Sequence, residues 1–198
     1  MAVAEFFYEF ASTYSYPAAL RIGALAKARG VDLAWRPFLL GPIFAAHGWR
    51  DSPFNIYPAK GRYMWRDIER TCAAMGVPFR RPEPFPQPSL LAARIALALE
   101  GEDRAAFSRE VYTAEFGRGL PIADRATLAS LLAACGVDPK PALERAESDA
   151  NKAALKAECA RAAEIGVVGA PSIVTRDGEV FWGNDRLEQA LDWAAERR

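Results

Sequence analysis

The sequence has few of the residues that most often carry redox or metal chemistry. Its 198 residues include three cysteines and one histidine. Cys72, Cys135 and Cys159 are odd in number and far apart, without a metal-ligand spacing, so we expect neither a disulfide framework nor a metal site. They are typical of small buried side chains in a cytoplasmic protein. The one histidine, His47, lies in a loop rich in Gly and Trp, and we assign it no role.

Net charge and long apolar runs are also missing. Lys+Arg and Asp+Glu number 25 each, and this zero balance argues against nucleic acid or an anionic membrane as the main partner. No apolar run approaches the roughly 20 residues of a membrane span, and no signal-peptide pattern precedes the first strand. The remaining composition, 51% hydrophobic and 25% charged, predicts a globular, cytoplasmic protein with a substantial core.

The first forty residues have the pattern of a strand, a helix and a second strand. Residues 3–10 are apolar, rich in aromatics and of strand length. From Ala18 the apolar residues recur with helical spacing until Gly30, and a second apolar run covers residues 33–39. Elements joined this closely predict a right-handed βαβ unit with parallel strands.

Two hydroxyls, Ser12 and Ser15, lie three residues apart where the first strand gives way to the helix. In thioredoxin-like redox proteins this corner carries C-x-x-C, and the helix end stabilises the first cysteine as a thiolate. A hydroxyl cannot form a disulfide, so dithiol chemistry is excluded here. At a helix start, where unpaired N–H groups favour an anion, Ser12 can donate a hydrogen bond to the thiolate of another molecule. A plain helix cap is the alternative use of such a serine.

Residues 41–165 show no strand pattern. Residues 41–59 predict a loop, because Gly and Pro interrupt every period, and the five prolines in 78–88 predict an extended connection. Helical stripes are expected over residues 64–75, 91–99, 107–116, 128–135 and 153–165. Gly76 is expected to end the first of them, and Asp138 with Pro139 to begin a further helix.

The last thirty residues return to strands. Residues 170–175 and 179–182 predict a hairpin around the two-residue turn Asp177-Gly178, and Asp185 with Glu188 predicts a capping box for a final helix. The order βαβ, helices, ββα predicts an α/β thioredoxin fold with an all-helical insertion. We expect residues 1–40 and 166–198 to form the thioredoxin-like domain, and residues 41–165 to form the insertion with its leading loop.

Four segments together carry a family resemblance that spans essentially the whole chain. They are the serine corner, the block 55–63, the Gly169-Ala170-Pro171 turn and the run Trp-Gly-Asn-Asp-Arg at 182–186. In this order they resemble the 2-hydroxychromene-2-carboxylate isomerases, bacterial relatives of kappa-class glutathione transferases in the DsbA-like superfamily. The resemblance implies a homodimeric cytoplasmic isomerase of aromatic-compound degradation, with glutathione as cofactor and a small aromatic substrate.

The resemblance also implies the site residues. Ser12 corresponds to the catalytic serine that holds the glutathione sulfur. Ala170, before an expected cis-Pro171, pairs through its backbone with the peptide part of glutathione. The other residues expected to bind glutathione are Asn55, Trp182, Gly183, Asn184 and Asp185. The residues expected to receive the aryl group of the substrate are Tyr14, Phe44, Trp49 and Tyr57. The loop aromatics are equally suited to core or dimer contacts.

The implied chemistry is reversible addition of a thiolate to a conjugated, ring-opened substrate, then rotation and elimination to the trans isomer. Thiols titrate near pH ~8.5, and lowering that pKa by about two units needs roughly 2.7 kcal/mol. A hydrogen bond to the charged sulfur supplies ~1.5–3 kcal/mol and a helix N-terminus ~0.3–1 kcal/mol, so Ser12 at a helix start is sufficient.

Several positions depart from the family pattern. Thr13 stands where proline often follows the serine, and Pro17 predicts a first helical turn that starts late or kinks. Residues 41–44 lack a lysine that contacts substrate in relatives. Lys60 and Arg62 are open candidates for glutathione carboxylates.

Three other functions are compatible with the sequence. One is a kappa-like glutathione transferase or peroxidase, which has the same site but consumes the thiol. Another is a non-catalytic thioredoxin-fold protein that binds peptides at Pro171. A dithiol oxidoreductase is the least supported, because no cysteine lies at the corner.

Overall fold

The computed structural model describes residues 2–46 and 48–197, so His47 lies outside the described residues. A four-stranded mixed sheet has the order β2-β1-β3-β4. Its strands are β1 (Ala2–Tyr8), β2 (Val31–Pro37), β3 (Ser172–Thr175) and β4 (Val180–Trp182). β1 runs parallel to β2 and antiparallel to β3, which pairs antiparallel with β4. This sheet is the βαβ…ββα arrangement expected of a thioredoxin fold.

Ten α-helices lie among the described residues. They are α1 (Ser15–Ala28), α2 (Leu40–Ala46), α3 (Pro53–Ile56), α4 (Pro58–Met75), α5 (Leu90–Ala98), α6 (Gly101–Tyr112), α7 (Arg125–Ala134), α8 (Pro139–Glu147), α9 (Asp149–Glu164) and α10 (Leu187–Glu196). A π-helical segment, Thr113–Gly117, continues α6, and a 3₁₀ turn, Asn184–Arg186, precedes α10. No described helix is long and apolar enough to cross a membrane.

The central strand β1 is buried on both faces, which explains its nearly continuous apolar sequence. Phe6, Phe7 and Tyr8 are fully buried. Phe6 packs edge-on against Trp35 of β2, with ring centroids 5.0 Å apart. The Tyr8 hydroxyl lies 2.7 Å from Ser108 Oγ of α6, so the helices of the middle segment pack directly on the sheet.

Arg104 of α6 also joins the middle segment to the sheet. Its guanidinium donates to the Trp35 carbonyl of β2 at 2.9 Å, and to carbonyls at the end of α5, those of Ala96 and Leu99 among them, also at 2.9 Å. Carbonyls in the last turn of a helix lack their full set of N–H donors, so the Arg104 cation stabilises the end of α5 and holds it against β2. The division into domains at residues 40 and 166 stays a prediction.

Most predicted helices and their ends are confirmed. α4 ends at Gly76, which has a φ of 66°. Asp138 caps α8 and accepts a hydrogen bond from Lys140 N, with Pro139 in the first position. The five-proline segment 78–88 has neither helix nor strand. All three cysteines are free, and burial raises the pKa of the Cys72 thiol to about 11.

Two predictions about proline-containing segments were wrong. The expected loop at 41–59 contains α2, α3 and the start of α4, with Pro42, Pro53 and Pro58 in the first turns of these helices. Helix α1 begins at Ser15 rather than late, with Pro17 as its third residue. In both cases the proline occupies a first turn, where the missing N–H has no intrahelical partner to lose.

Two predictions in the C-terminal segment also need correction. The hairpin turn has three residues, 176–178, because Thr175 N pairs with Glu179 O at 3.0 Å and Gly178 has a φ of 88°. This is the turn with a left-handed glycine that suits a three-residue hairpin. Asp185 caps nothing, since it lies in the 3₁₀ turn before α10, and Glu188 pairs with Arg21 instead.

Candidate active site

Ser12 lies between the end of β1 and the start of α1, and its hydroxyl joins two parts of the fold. Ser12 Oγ accepts a hydrogen bond from Ser15 N, the first N–H of α1, at 3.3 Å. It donates to the Ala170 carbonyl oxygen at 2.9 Å. The N-cap position itself is Tyr14, which makes no side-chain cap. The hydroxyl is therefore held at the positive end of α1, beside a turn 158 residues away in sequence.

That turn contains a cis peptide bond between Ala170 and Pro171, as expected. Gly183 N donates to the Pro171 carbonyl at 2.9 Å and fixes the turn to the end of β4. Within the described parts of the chain, no group accepts a hydrogen bond from the Ala170 N–H. The Trp182 indole lies over Gly169, where a Cβ would stand 2.4 Å from Trp182 Nε1, so only glycine allows this contact.

The loop after β4 is held by an arginine that carried no sequence signal. Arg21 Nε donates to Asn184 Oδ1 at 3.1 Å, and Arg21 Nη2 donates to the Asn184 carbonyl at 2.5 Å. Gly183 has a φ of 122°, and a Cβ there would lie 2.5 Å from Asp185 Oδ1. The Asp185 side chain is 75% exposed. No pattern in the sequence could have revealed Arg21, because it contacts a residue 163 positions away.

A cleft of about 1500 Å³ runs beside the serine corner. Most residues predicted for the site line it. They are Ser12, Tyr14, Phe44, Trp49, Ala170, Pro171, Trp182, Gly183, Asn184 and Asp185. One side of the cleft is formed by the corner, the cis-proline turn and the loop after β4. The other is formed by α2, α3 and residues 85–90, and Lys60 also contributes to the lining.

Two of the predicted site residues lie outside this lining. The Asn55 amide donates to Asp51 Oδ1 at 3.1 Å, and Tyr57 is 46% exposed beneath the Lys60 ammonium. Successive helical residues point in directions about 100° apart, so the short helix α3 turns Phe54 into the cleft and Asn55 away from it. Phe54 contributes the aromatic surface that we expected from Tyr57.

The aromatic wall of the cleft contains one polar link. Tyr14 donates its hydroxyl proton to Asp67 Oδ2 at 3.0 Å, and its ring lies 6.3 Å from that of Phe54. Burial, together with Asp67, raises the pKa of Tyr14, so this phenol stays protonated. Phe44 and Trp49 pack against each other with ring centroids 5.7 Å apart. This wall offers a flat apolar surface with a fixed hydroxyl.

A buried carboxyl, Glu9, lies beneath the corner and was not predicted. It accepts hydrogen bonds from Ser89 Oγ at 2.5 Å and from Leu40 N at 2.9 Å. Burial raises its pKa. A second carboxyl, Glu115 in the π-helical segment, is fully buried, and neither oxygen has a hydrogen-bond partner among the described residues. Burial, and then the charge of Glu9, raise the pKa of Glu115 well above its usual range and favour its neutral form.

Three features define a DsbA-like thioredoxin-fold protein. They are the sheet order, the cis-proline turn and the serine corner at the N-terminus of α1. The family model described as the DSBA-like thioredoxin domain matches residues 3–193. The chain is 31% identical over 186 residues to a 2-hydroxychromene-2-carboxylate isomerase of Sphingobium xenophagum, a match that covers 93% of each chain. A solved structure of 2-hydroxychromene-2-carboxylate isomerase superposes with a TM-score of 0.84 at 25% identity, over 98% of this chain and 95% of that one.

A related class is also similar. Glutathione s-transferase kappa 2 of Caenorhabditis elegans is 27% identical over 214 residues, covering 98% of this chain and 92% of that one. The chain belongs to the 2-hydroxychromene-2-carboxylate isomerase family of DsbA-like thioredoxin-fold proteins. The predicted fold, and the prediction of an enzyme from this isomerase family, are confirmed.

Proposed function

We propose that the protein is a glutathione-dependent cis-trans isomerase acting on 2-hydroxychromene-2-carboxylate or a related aromatic-degradation intermediate. The observation that carries the proposal is the position of the Ser12 hydroxyl. Ser12 Oγ is held between the first N–H of α1 and the Ala170 carbonyl. This corner is where redox relatives keep a thiolate, and here it offers a hydroxyl and a helix dipole to an external sulfur. The names of the isomerase relatives support the substrate class.

The residues around Ser12 fit glutathione in two respects. The Ala170 N–H has no acceptor in the described chain, and the adjacent backbone can pair with an extended peptide as an edge strand does. Asn184 and Asp185 line the cleft with an amide and an exposed carboxylate, which suit the carboxylate and ammonium of a γ-glutamyl end. Trp182 and Gly183 flank this pair.

Ser12 acts as the donor that keeps the sulfur ionised. Its proton points at the Ala170 carbonyl in the free protein. A peptide N–H that pairs with the same carbonyl would replace this bond and release the hydroxyl proton for the sulfur. The desolvation cost of this donor is reduced, because Ser12 is already half-buried.

When bound, glutathione supplies a thiolate that adds reversibly to the conjugated double bond, so that rotation becomes possible before the thiol is eliminated. Ser12 and the N-terminus of α1 stabilise the negative charge on sulfur before addition and after elimination. Phe44, Trp49 and Phe54 bind the aryl ring and exclude water. The Tyr14 hydroxyl donates its proton to Asp67, so towards the substrate it can accept a hydrogen bond from an O–H or N–H group.

A kappa-like transferase that consumes the thiol is the second candidate, and the similarity to a kappa-class transferase favours it. The stoichiometry of glutathione separates the two functions. We would incubate the protein with 2-hydroxychromene-2-carboxylate and substoichiometric glutathione, and follow the trans-o-hydroxybenzylidenepyruvate formed. An isomerase brings the whole pool of substrate to equilibrium with the trans product and returns the thiol. Loss of thiol in proportion to substrate would establish the transferase instead.

A non-catalytic binding protein is distinguished by a different result. Thermal stabilisation by millimolar glutathione is expected of both enzymes, so an unchanged melting temperature would count against them and favour the non-catalytic protein that binds peptides at Pro171. The proposal also includes a homodimer in the cytoplasm, on the basis of the family alone. Sedimentation equilibrium tests the dimer, and fractionation of the source cells tests the location.

A further inference from the structure

We propose that Arg21 is a positioning residue that fixes the orientation of the Asn184 amide, and so makes the loop at 183–186 selective for a free carboxylate. The inference deepens the proposed function and rests on it, because the carboxylate in question belongs to the γ-glutamyl end of glutathione. Arg21 reaches this loop from α1, the same helix whose N-terminus carries the serine corner.

The guanidinium holds Asn184 at two atoms. Arg21 Nε donates to the side-chain oxygen Oδ1 at 3.1 Å, and Nη2 donates to the main-chain carbonyl at 2.5 Å. Its Nη1 atom pairs with Glu188 Oε1 of α10 at 2.5 Å. A planar group bonded on both edges has little freedom to rotate, so both the backbone and the side chain of Asn184 are fixed.

These contacts decide which face of the amide is turned to the cleft. A guanidinium has only donors, so the Asn184 atom that faces Arg21 Nε has to be the oxygen. The amide nitrogen, with its two N–H donors, lies on the other side, and no described residue accepts from it. Asn184 lines the cleft. Two free donors there suit a carboxylate and exclude an ammonium.

The neighbouring residue, Asp185, favours a positively charged group. Asp185 also lines the cleft, and its carboxylate is 75% exposed. It suits an ammonium. Asn184 and Asp185 together thus match both charged groups of a free amino-acid end. The match at the carboxylate depends on Arg21, because an amide free to rotate could equally present its oxygen.

A second ion pair to α10 provides the control. Arg29, the residue after the end of α1, pairs through Nε with Asp192 Oδ1 of α10 at 2.6 Å, and its side chain is exposed to almost the same degree as that of Arg21, 24% against 27%. Partly exposed pairs contribute little to stability, so both arginines can be replaced in a folded protein. Arg21 hydrogen-bonds Asn184, and among the described residues no hydrogen bond joins Arg29 to Asn184.

The test compares two ligands on four proteins by isothermal titration calorimetry. The ligands are glutathione and γ-aminobutyryl-cysteinyl-glycine, which lacks the α-carboxylate of the γ-glutamyl group. The proteins are the wild type, Arg21→Met, Arg21→Lys and Arg29→Met. We expect the wild type and Arg29→Met to prefer glutathione by roughly tenfold, the value of one hydrogen bond to a charged group. Arg21→Met should bind both ligands alike, and Arg21→Lys should lose most of the preference because lysine lacks the fork.

The outcomes separate the two proposals. If the wild type binds no glutathione, the proposed function and this inference both fail. If the wild type prefers glutathione and Arg21→Met keeps the same preference, Arg21 has no positioning role and the proposed function stands. An equal loss in Arg29→Met, or a wild type indifferent to the carboxylate, would also overturn the inference. In turnover, Arg21→Met should raise the KM for glutathione and leave kcat unchanged.

Discussion

Replacing Ser12 by alanine is the most specific test of the proposed site. The substitution removes one hydroxyl that donates to the Ala170 carbonyl at 2.9 Å and accepts from Ser15 N at 3.3 Å. It leaves helix α1, its N–H groups and the cis-proline turn in place. The loss of two neutral, half-buried hydrogen bonds costs about 1–3 kcal/mol of stability, so the variant should fold.

The substitution also acts on a bound thiol. A hydrogen bond to a charged sulfur stabilises the thiolate by ~1.5–3 kcal/mol, which corresponds to a pKa change of about 1–2 units. The helix N-terminus remains and contributes ~0.3–1 kcal/mol, less than about one unit. We therefore expect the pKa of the bound glutathione thiol to rise by about 1–2 units in Ser12→Ala, while staying slightly below that of free glutathione.

The assay is a pH titration of the ultraviolet thiolate absorbance of enzyme-bound glutathione. Ser52→Ala is the matched control, because Ser52 also lines the cleft and its Oγ accepts from a helix N–H, that of Phe54, at 3.3 Å. The control should titrate like the wild type. A thiol pKa unchanged in Ser12→Ala would refute the reasoning and leave the serine as a structural link between α1 and the cis-proline turn.

Three further predictions follow from close contacts and buried charge. Gly169→Ala should displace the Trp182 indole, which a Cβ would approach to 2.4 Å, and weaken glutathione binding several-fold; an unchanged Kd would contradict this. Asn55→Ala should change the affinity for glutathione by no more than about twofold, because Asn55 lies outside the cleft lining and its amide is bonded to Asp51; a larger loss by calorimetry would show that Asn55 belongs to the binding site. In the folded protein the pKa of Glu115 is raised well above its ordinary value of 4.5. As the pH rises, Glu115 therefore ionises in the unfolded chain before it ionises in the folded one. Above that value the stability of the wild type falls by about 1.4 kcal/mol per pH unit. Urea denaturation across pH should show a flatter profile for Glu115→Gln and greater stability at neutral pH; parallel profiles would count against a neutral buried carboxyl.

Local sequence signals were sufficient for the architecture and for the centre of the site. The switch from strand to helical period placed Ser12 at a helix start, and the structure puts it three residues before α1. Gly76 and Asp138 marked real helix ends, since glycine supplies a positive φ and aspartate an N–H acceptor at short range. Such signals depend on neighbours a few positions away, so they can be recognised without the fold.

The remaining features depend on contacts between distant segments or on ambiguous prolines. Arg21 resembles any exposed helical arginine until the loop after β4 comes to lie beside it. Glu9 continues an apolar strand in sequence, yet its carboxylate finds donors from α2 and from Ser89. Proline predicts a break and a first helical turn equally well, and the choice between them is made by packing. The loop predicted at 41–59 was wrong for that reason.

The two walls of the cleft come from separate parts of the chain. The serine corner and the cis-proline turn belong to the ends of the sheet, whereas Phe44 and Phe54 lie on short helices that follow β2. Mutations can therefore accumulate on the helical wall without altering the corner. Proteins that share this corner can therefore differ in the substrates they accept, through changes in α2, α3 and residues 85–90.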